Sequence, residues 1–328
     1  MVSPTLERWL PILADPAGGE QASRYAPMRL SAADLAALPE FADRHGVLPI
    51  VERNLRAAML SGAVIEQCRA TLRTRLLART GICLMLRGQL AALGEVLRGR
   101  SVPHTVLKGV EFADRLYPEP VLRTFTDIDL LVPRHALAAA EDALREAGYS
   151  QKDEAPGPHH GRHAQRNWKR AGPGGTVELH WDLVNSPSLR QRASVTWDRL
   201  ERDGAGRLLP ESLLLIASVH GATGHRFDRL LLLCDVCQSA RGAAGQIDPA
   251  RMIRLARACG AELAVAAALT LAGKAFREPA CDDLLNAMSL SVGARFGRHL
   301  LTPEAVLWRR SPFDTARRQI FRQMLKYA

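Results

Sequence analysis

The sequence lacks an apolar run long enough to cross a bilayer and a segment typical of secretory leaders. Its longest apolar run, residues 263–273, lies between Glu262 and Lys274, whereas a membrane-spanning helix needs about 20 apolar residues. The first twenty residues have neither the basic start nor the clean apolar stretch of a signal peptide. We therefore expect a cytoplasmic protein without a membrane span.

Cysteine is scarce, and its placement does not indicate a disulfide framework. Most of the cysteines fall within apolar helical patterns, and nothing in the sequence suggests an oxidising compartment. We expect free, buried thiols. The six residues are Cys68, Cys83, Cys234, Cys237, Cys259 and Cys281.

Lysine is also scarce, although the chain is strongly basic. The formal net charge is +10 with 44 lysines and arginines, and nearly all of these residues are arginines scattered along the whole chain. Such a charge favours association with anions but does not specify a fold or a site. Nucleic acid is thus a possible partner that the sequence does not favour.

What the sequence does contain is enough apolar material for a sizeable core, in three successive patterns. Hydrophobic residues make up 47% of the 328 positions. Residues 1–100 have helical spacing throughout, including a helix predicted to begin after Ser31 and end at Gly46. Residues 186–328 return to helical spacing. Between them, residues 101–185 predict a compact α/β core.

The central region alternates strand and helix signals. The run "VPHTVLKG" predicts a strand, "VEFADRLYP" a helix, "TDIDLLV" a second strand and "RHALAAAEDALREAGY" a second helix. Further strands are predicted over "HAQRNWKR" and "TVELHWDLV". The fold class is therefore α+β, with a small mixed β-sheet flanked by N-terminal and C-terminal helical regions.

Two aspartates occupy alternate positions within the apolar strand "DIDLLV". Alternate side chains of a strand share a face, so Asp127 and Asp129 lie together, as do Glu178 and His180 on the later strand. If these strands pair, three carboxylates crowd one site and require a hard cation such as Mg²⁺ or Mn²⁺. Aspartates at such positions also cap helices or pair with arginine, and the sequence leaves both interpretations open.

A glycine turn precedes this strand. Lys108 and Gly109 stand between a predicted strand and a helix, where a glycine lets backbone N–H groups approach a phosphate. The lysine is either a phosphate ligand or a structural partner of an aspartate. Arg123, just before the second strand, either binds phosphate or caps a loop.

The set "LKGVEFADRLYPEPVLRTFTDIDLLV", "VELHWDL" and "SVHGATGHRFDRLLLLCDV" resembles the uncharacterised bacterial nucleotidyltransferase-like proteins of the polymerase-β-type superfamily. The resemblance covers about residues 100 to 240. It implies that Asp127 and Asp129 bind one or two Mg²⁺ ions bridging a nucleoside triphosphate, and that Glu178 completes the metal site. It also implies that Gly109 forms the phosphate-binding turn.

The chain departs from that superfamily at the glycine turn. Where Gly-Gly or Gly-Ser is usual, this chain has Lys108-Gly109-Val110, and 17 residues separate Gly109 from Asp127. His180, on the predicted active face, either orients a carboxylate or acts as a base.

Three later residues are further candidates. His220, His225 and Asp235 either contact substrate or form structural hydrogen bonds.

The sequence therefore predicts an Mg²⁺-dependent nucleotidyltransferase. It would move a nucleotidyl or related phosphate-linked group from a nucleoside triphosphate to a hydroxyl of a small molecule or a peptide. One alternative is a metal-dependent glycosyltransferase that uses a nucleotide sugar, although such enzymes normally have alternating strands and helices before the Asp-x-Asp motif. The other alternative is a non-catalytic binding module that retains the fold.

Overall fold

A computed structural model describes residues 3–18, 25, 28–58, 62–152, 162–172, 174–308 and 311–327. The helices before the sheet are α1 (Pro4–Leu13), α2 (Ala32–Arg44), α3 (Leu48–Ala57) and α4 (Ala63–Gly99). Within the central region lie β1 (Thr105–Val106), α5 (Val110–Leu116), β2 (Asp127–Leu131), α6 (Leu137–Glu146), β3 (Tyr149–Gln151), β4 (Gln165–Arg170) and β5 (Thr176–His180). The following helices are α7 (Pro187–Arg190), α8 (Pro210–Val219), α9 (Leu230–Ala240), α10 (Pro249–Ala258), α11 (Glu262–Phe276), α12 (Pro279–Ala287), α13 (Val292–Gly297), α14 (Pro303–Leu307) and α15 (Pro312–Tyr327).

The predicted fold class is confirmed, with helices flanking one small mixed sheet. The strand order is β1-β2-β5-β4-β3. Strands β2 and β5 are parallel, and the other neighbouring pairs are antiparallel. The parallel pair is the one that carries the acidic residues, because the chain crosses over through α6, β3 and β4 before it returns to β5.

Helix α2 shows how closely the sequence specifies some boundaries. The Ser31 side chain accepts a hydrogen bond from the Asp34 backbone N–H, and the Asp34 carboxylate accepts one from the Ser31 N–H. Such a reciprocal cap provides hydrogen-bond acceptors for N–H groups at the start of the helix, which have no backbone carbonyl partner within it. The predicted start after Ser31 is confirmed, and the turn at the other end closes at Gly46, whose φ is +71°.

The two faces of the sheet contact different parts of the protein. Ile128 and Leu130 of β2, with Leu179 of β5, pack in a cluster that also contains buried leucines of α4 and apolar residues of α6. The second half of α4 thus packs with the sheet across the boundary predicted at residue 100. The opposite face of β2 and β5 carries Asp129 and Glu178 toward the C-terminal helices.

The C-terminal helices form most of a larger apolar cluster, with α11 at its centre. The longest apolar run of the sequence, residues 263–273, lies within this helix and is buried throughout. Burial on all sides explains why the run has no polar face. Helices α8 and α9 pack beside it and bring the segment between them over the acidic face of the sheet.

Helix α4 is, within the described residues, the one helix long and apolar enough to cross a membrane by length and composition. In its most apolar window 17% of residues are buried. Leu86, Leu93 and Leu97 pack against the sheet, whereas Leu77 and Leu84 are exposed. Length and composition are weak evidence for a span, so the absence of one stays a prediction.

Candidate functional site

The parallel pairing of β2 with β5 places the acidic residues of two separate segments side by side. Asp129 is directly opposite Glu178 in the strand register, and Asp127 is opposite Thr176. Strand alternation then puts His180 on the same face as Glu178. The sequence-predicted arrangement of these four side chains on one face of the sheet is therefore the one that the structure has.

Asp129, Glu178 and His180 form the tightest group of this site. One ligand atom from each lies within 4.8 Å of the others. Nε2 of His180 is 3.2 Å from Oδ1 of Asp129 and 3.5 Å from Oε2 of Glu178. Asp127 was predicted as a metal ligand but lies outside this close group, where His180 takes the third position.

Lys108 neutralises the centre of the group. Its Nζ lies 2.8 Å from Oδ1 of Asp129 and 3.4 Å from Nδ1 of His220. The side chains of Lys108 and Asp129 are 10% and 2% exposed, so the ion pair is largely shielded from water. Of the two alternatives for Lys108, the structure shows a partner of an aspartate.

The electrostatics separate the two aspartates of the motif. Burial, reinforced by the charge of Asp129, raises the pKa of Asp127 to about 6. Burial also opposes ionisation of Asp129, but Lys108 and His180 outweigh it and hold the pKa of Asp129 well below its usual range. Asp129 is therefore ionised at neutral pH, whereas Asp127, with a pKa of about 6, gains or loses its proton just below neutral pH.

The pKa of His180 is raised despite its burial. Burial alone would lower it, but the hydrogen bonds to Asp129 and Glu178 favour the protonated ring. Within the described residues, its second nitrogen, Nδ1, has no hydrogen-bond partner. A ring held by Nε2 between two carboxylates fixes their relative position, so the geometry favours the orienting role over that of a base.

We expect Asp127→Asn to stabilise the protein more at pH 8 than at pH 4.5. A folded-state pKa raised from 3.8 to about 6 means that ionisation of Asp127 costs stability above pH 6 and nothing below pH 4. Asparagine removes this cost, which is at most roughly 3 kcal/mol for such a rise. Urea unfolding at both pH values measures the difference, and Asp142→Asn, at an exposed position of α6, is the control. An equal effect of Asp127→Asn at both pH values would contradict the assignment.

Gly109 forms the N-cap of α5 with a φ of +49°. A side chain at this position would contact the Phe125 ring, 3.5 Å from the added carbon. That distance is an ordinary contact, so the turn requires glycine for its backbone conformation and not for space. Its predicted role as a phosphate-binding turn stays a prediction.

Arg123, predicted as a phosphate ligand, has a different partner. Its guanidinium donates to both carboxylate oxygens of Asp235 at 2.8 and 2.9 Å, and the Tyr117 hydroxyl donates to the same carboxylate at 2.8 Å. All three residues are buried. The contacts support structural roles for Arg123 and Asp235, because this ion pair connects the entry to β2 with α9.

A pocket of about 210 Å³ opens beside the acidic group. Two of its walls are Glu178 and His180 of β5, and a third is the π-helical turn His220–His225, which continues α8. Such turns are rare and concentrate at functional sites. The pocket is smaller than the roughly 300–1,000 Å³ of sites that enclose a drug-sized ligand, so a ligand of that size would extend beyond it.

The π-helical turn brings His220 and His225 to the site. The sequence left open whether these histidines contact substrate or form structural hydrogen bonds. The rings of His220 and His225 meet edge to face, with centroids 4.8 Å apart, and both line the pocket. Burial and the charge of Lys108 lower the pKa of His220 well below its ordinary value, so the ring is neutral and accepts the hydrogen bond from Lys108.

Other pocket residues gave no signal in the sequence. They share uncharged hydrogen-bonding side chains and come from the start of β4, the loop after β5 and the π-helical turn. They are Gln165, Asn185, Ser186 and Thr223.

The acidic group fits a hard divalent cation. Two carboxylates and an imidazole converge within 4.8 Å, and Lys108 supplies a positive charge beside Asp129. Both contacts to Asp129 use Oδ1, and a carboxylate has a second oxygen that can bind a metal. Mg²⁺ and Mn²⁺ prefer such oxygen-rich ligands.

Comparison with known proteins identifies one family. Residues 31–277 match the profile of a family described as "Uncharacterised nucleotidyltransferase". The match spans α2 to α11 and therefore includes the whole sheet, the acidic group and the π-helical turn. No curated protein and no solved structure matches the chain.

Proposed function

Because this chain belongs to the uncharacterised nucleotidyltransferase family, we propose that it is an Mg²⁺- or Mn²⁺-dependent enzyme of the polymerase-β type. It transfers a nucleotidyl group from a nucleoside triphosphate to a hydroxyl of a small molecule or peptide. The observation that carries the proposal is the register of β2 and β5, which sets Asp129 against Glu178 beside an open pocket.

Asp129, Glu178 and Asp127 would hold the metal. A bound divalent ion would draw charge from the phosphate oxygens during displacement at the α-phosphorus. Asp127 completes the acidic set from the start of β2, where burial and Asp129 make its ionisation costly without a cation. Its carboxylate therefore gains more from a nearby cation than an exposed carboxylate does.

Glu178 is the carboxylate best placed to meet the acceptor. Its side chain is 25% exposed and lines the pocket, whereas that of Asp129 is 2% exposed. In the transfer, the acceptor oxygen bonds to the α-phosphorus, the bond to the bridging oxygen breaks and pyrophosphate leaves. Glu178 is positioned to receive the hydroxyl proton, and His180 holds Glu178 and Asp129 in place.

Lys108 has a second use once a metal ion neutralises Asp129. Its ammonium group lies at the pocket wall between Asp129 and His220. If Asp129 bound a metal instead, Lys108 would be a point charge for the phosphates of the donor. The two alternatives for Lys108 thus describe successive partners of one side chain.

We expect Glu178→Gln to abolish metal-dependent nucleotide binding and to lower turnover at least roughly 100-fold, since even residues behind a metal ligand contribute about 10–100-fold. The measurements are thermal unfolding with nucleoside triphosphates and nucleotide sugars, with and without Mg²⁺ or Mn²⁺, and release of pyrophosphate. A donor at 100 times its Kd stabilises the wild type by about 2.7 kcal/mol.

The matched control is Glu95→Gln, which changes a highly exposed residue of α4 that does not line the pocket. It should behave as the wild type in every assay. Undiminished metal-dependent binding by Glu178→Gln would refute the assigned role of this residue. Stabilisation of the wild type by nucleotide sugars alone would instead favour a glycosyltransferase.

A further inference from the structure

The candidate active-site pocket has a neighbour that no step of the proposed reaction uses. Gly224 and His225 line both pockets, so the two are separated only by the end of the π-helical turn. The second pocket measures about 380 Å³. Its other walls are Arg226, Asp228, Thr315 and Arg318.

The second pocket is basic. Arg226 is exposed, whereas Arg318 is buried and donates to the backbone carbonyls of Val306 and Arg226 at 3.3 and 3.5 Å. Burial and the charge of Arg226 both lower the pKa of nearby Arg322. Asp228 is the one carboxylate among the described lining residues, and it lies 3.9 Å from Arg229, which is outside the pocket. Within this described lining, two arginines therefore accompany one carboxylate.

The backbone at this wall is strained. Arg226 and Phe227 are consecutive non-glycine residues with φ values of 53° and 55°, a conformation that residues with side chains rarely adopt. The Phe227 ring is fully buried and packs where Gly221 has no side chain, since an added carbon would lie 2.5 Å from the ring. This packing, together with the left-handed C-cap conformation of Arg226, holds Arg226 at the pocket.

We propose that the second pocket binds an anionic group of the acceptor, a phosphate or a carboxylate, while the acceptor hydroxyl lies beside Glu178. This inference rests on the proposed function. Arginine side chains recognise such anions through charge-assisted hydrogen bonds. An acceptor that lies across Gly224 and His225 reaches both pockets. Because the first pocket is small, most of such an acceptor would lie outside it.

The same anion chemistry could come from the donor, as the leaving pyrophosphate. The structure favours the acceptor, because Lys108, which would bind the donor phosphates, and Glu178, a proposed metal ligand, line the first pocket and not the second. The acceptor is then a phosphorylated or carboxylated alcohol, which excludes neutral sugars as good substrates.

The experiment measures binding of inorganic phosphate and of pyrophosphate by calorimetry without metal. We expect Arg226→Gln to weaken phosphate binding at least about tenfold, as the loss of a charge-assisted contact does. Arg226 is exposed and Gln is equally unbranched, so the variant should fold. Arg192→Gln, an exposed arginine that lines neither pocket, is the control and should bind as the wild type does. Equal phosphate affinity of Arg226→Gln and the wild type would overturn the proposal.

A second titration separates the two sources of the anion. The wild type is first saturated with Mg²⁺ and a nucleoside triphosphate analogue that cannot react, and phosphate is then added. Continued phosphate binding supports the acceptor site. Competition between analogue and phosphate, with weaker analogue binding by Arg226→Gln, would assign the pocket to the donor and overturn the proposal.

Failure of the proposed function would look different. Glu178→Gln lacks the proposed metal ligand but keeps the second pocket, so it should bind phosphate with wild-type affinity. A wild type that binds phosphate through Arg226 but no metal–nucleotide complex would refute the nucleotidyltransferase proposal alone.

Discussion

Asp235→Ala is expected to lower the free energy of unfolding by about 3–5 kcal/mol, the cost of leaving a buried charge without its partner. Asp235 accepts two hydrogen bonds from Arg123 and one from Tyr117, and each of the three residues is at most 5% exposed. The guanidinium cannot lose its proton to escape the cost. Chemical denaturation of the wild type and the variant measures the difference.

Two further variants show whether the charge causes the loss. Tyr117→Phe removes one hydrogen bond and keeps the ion pair, so it should cost less than Asp235→Ala, about 1–3 kcal/mol. The double variant Arg123→Met/Asp235→Leu removes both charges and should be more stable than Asp235→Ala alone. A loss below about 1 kcal/mol in Asp235→Ala would contradict a buried, shielded pair.

Asp129→Asn should produce two large effects with separate causes. Metal-dependent nucleotide binding is lost, because the central carboxylate of the acidic group is gone. Stability also falls by about 3–5 kcal/mol, since Lys108 and His180 lose the anion that they share in a buried site. Calorimetric titration with Mg²⁺ and a nucleotide analogue measures the first effect, and urea unfolding measures the second.

A compensating variant distinguishes these causes. Lys108→Met/Asp129→Asn removes the buried ammonium together with its partner and should recover much of the stability but none of the nucleotide binding. Recovery of both would show that Asp129 only maintains the fold. Wild-type stability of the single variant would mean that Lys108 finds water or another partner.

Strand periodicity was sufficient to place the acidic face. Alternation assigns Asp127, Asp129, Glu178 and His180 to one side of their strands without knowledge of the tertiary structure, and the β2–β5 register confirms that placement. The same argument fails beyond a strand. A strand was predicted over the whole of "TVELHWDLV", but in the structure it ends at His180. Asp182 accepts hydrogen bonds from the backbone N–H groups of Val184 and Val195, and the chain turns there.

Contacts between distant segments could not be predicted. Arg123 and Asp235 are 112 positions apart, as are Lys108 and His220. Neither spacing follows a helix or strand period, so only the packing of the C-terminal helices over the sheet brings the partners together. Strand β3, Tyr149–Gln151, also escaped prediction because three residues are too few to show alternation.

The contact between Lys108 and Asp129 gives each of these charged side chains a counter-ion within the protein before any ligand binds. A divalent ion bound to Asp129 would lie near the ammonium group that is already 2.8 Å from Oδ1 of this carboxylate, so charge repulsion would weaken binding of the metal alone. The donor alone meets a lysine already committed to a carboxylate. When both are bound, the metal would pair with Asp129 and the donor phosphates with Lys108, so each charged side chain would keep a partner of opposite charge. Metal and donor should therefore bind cooperatively, each raising the affinity for the other by the same factor.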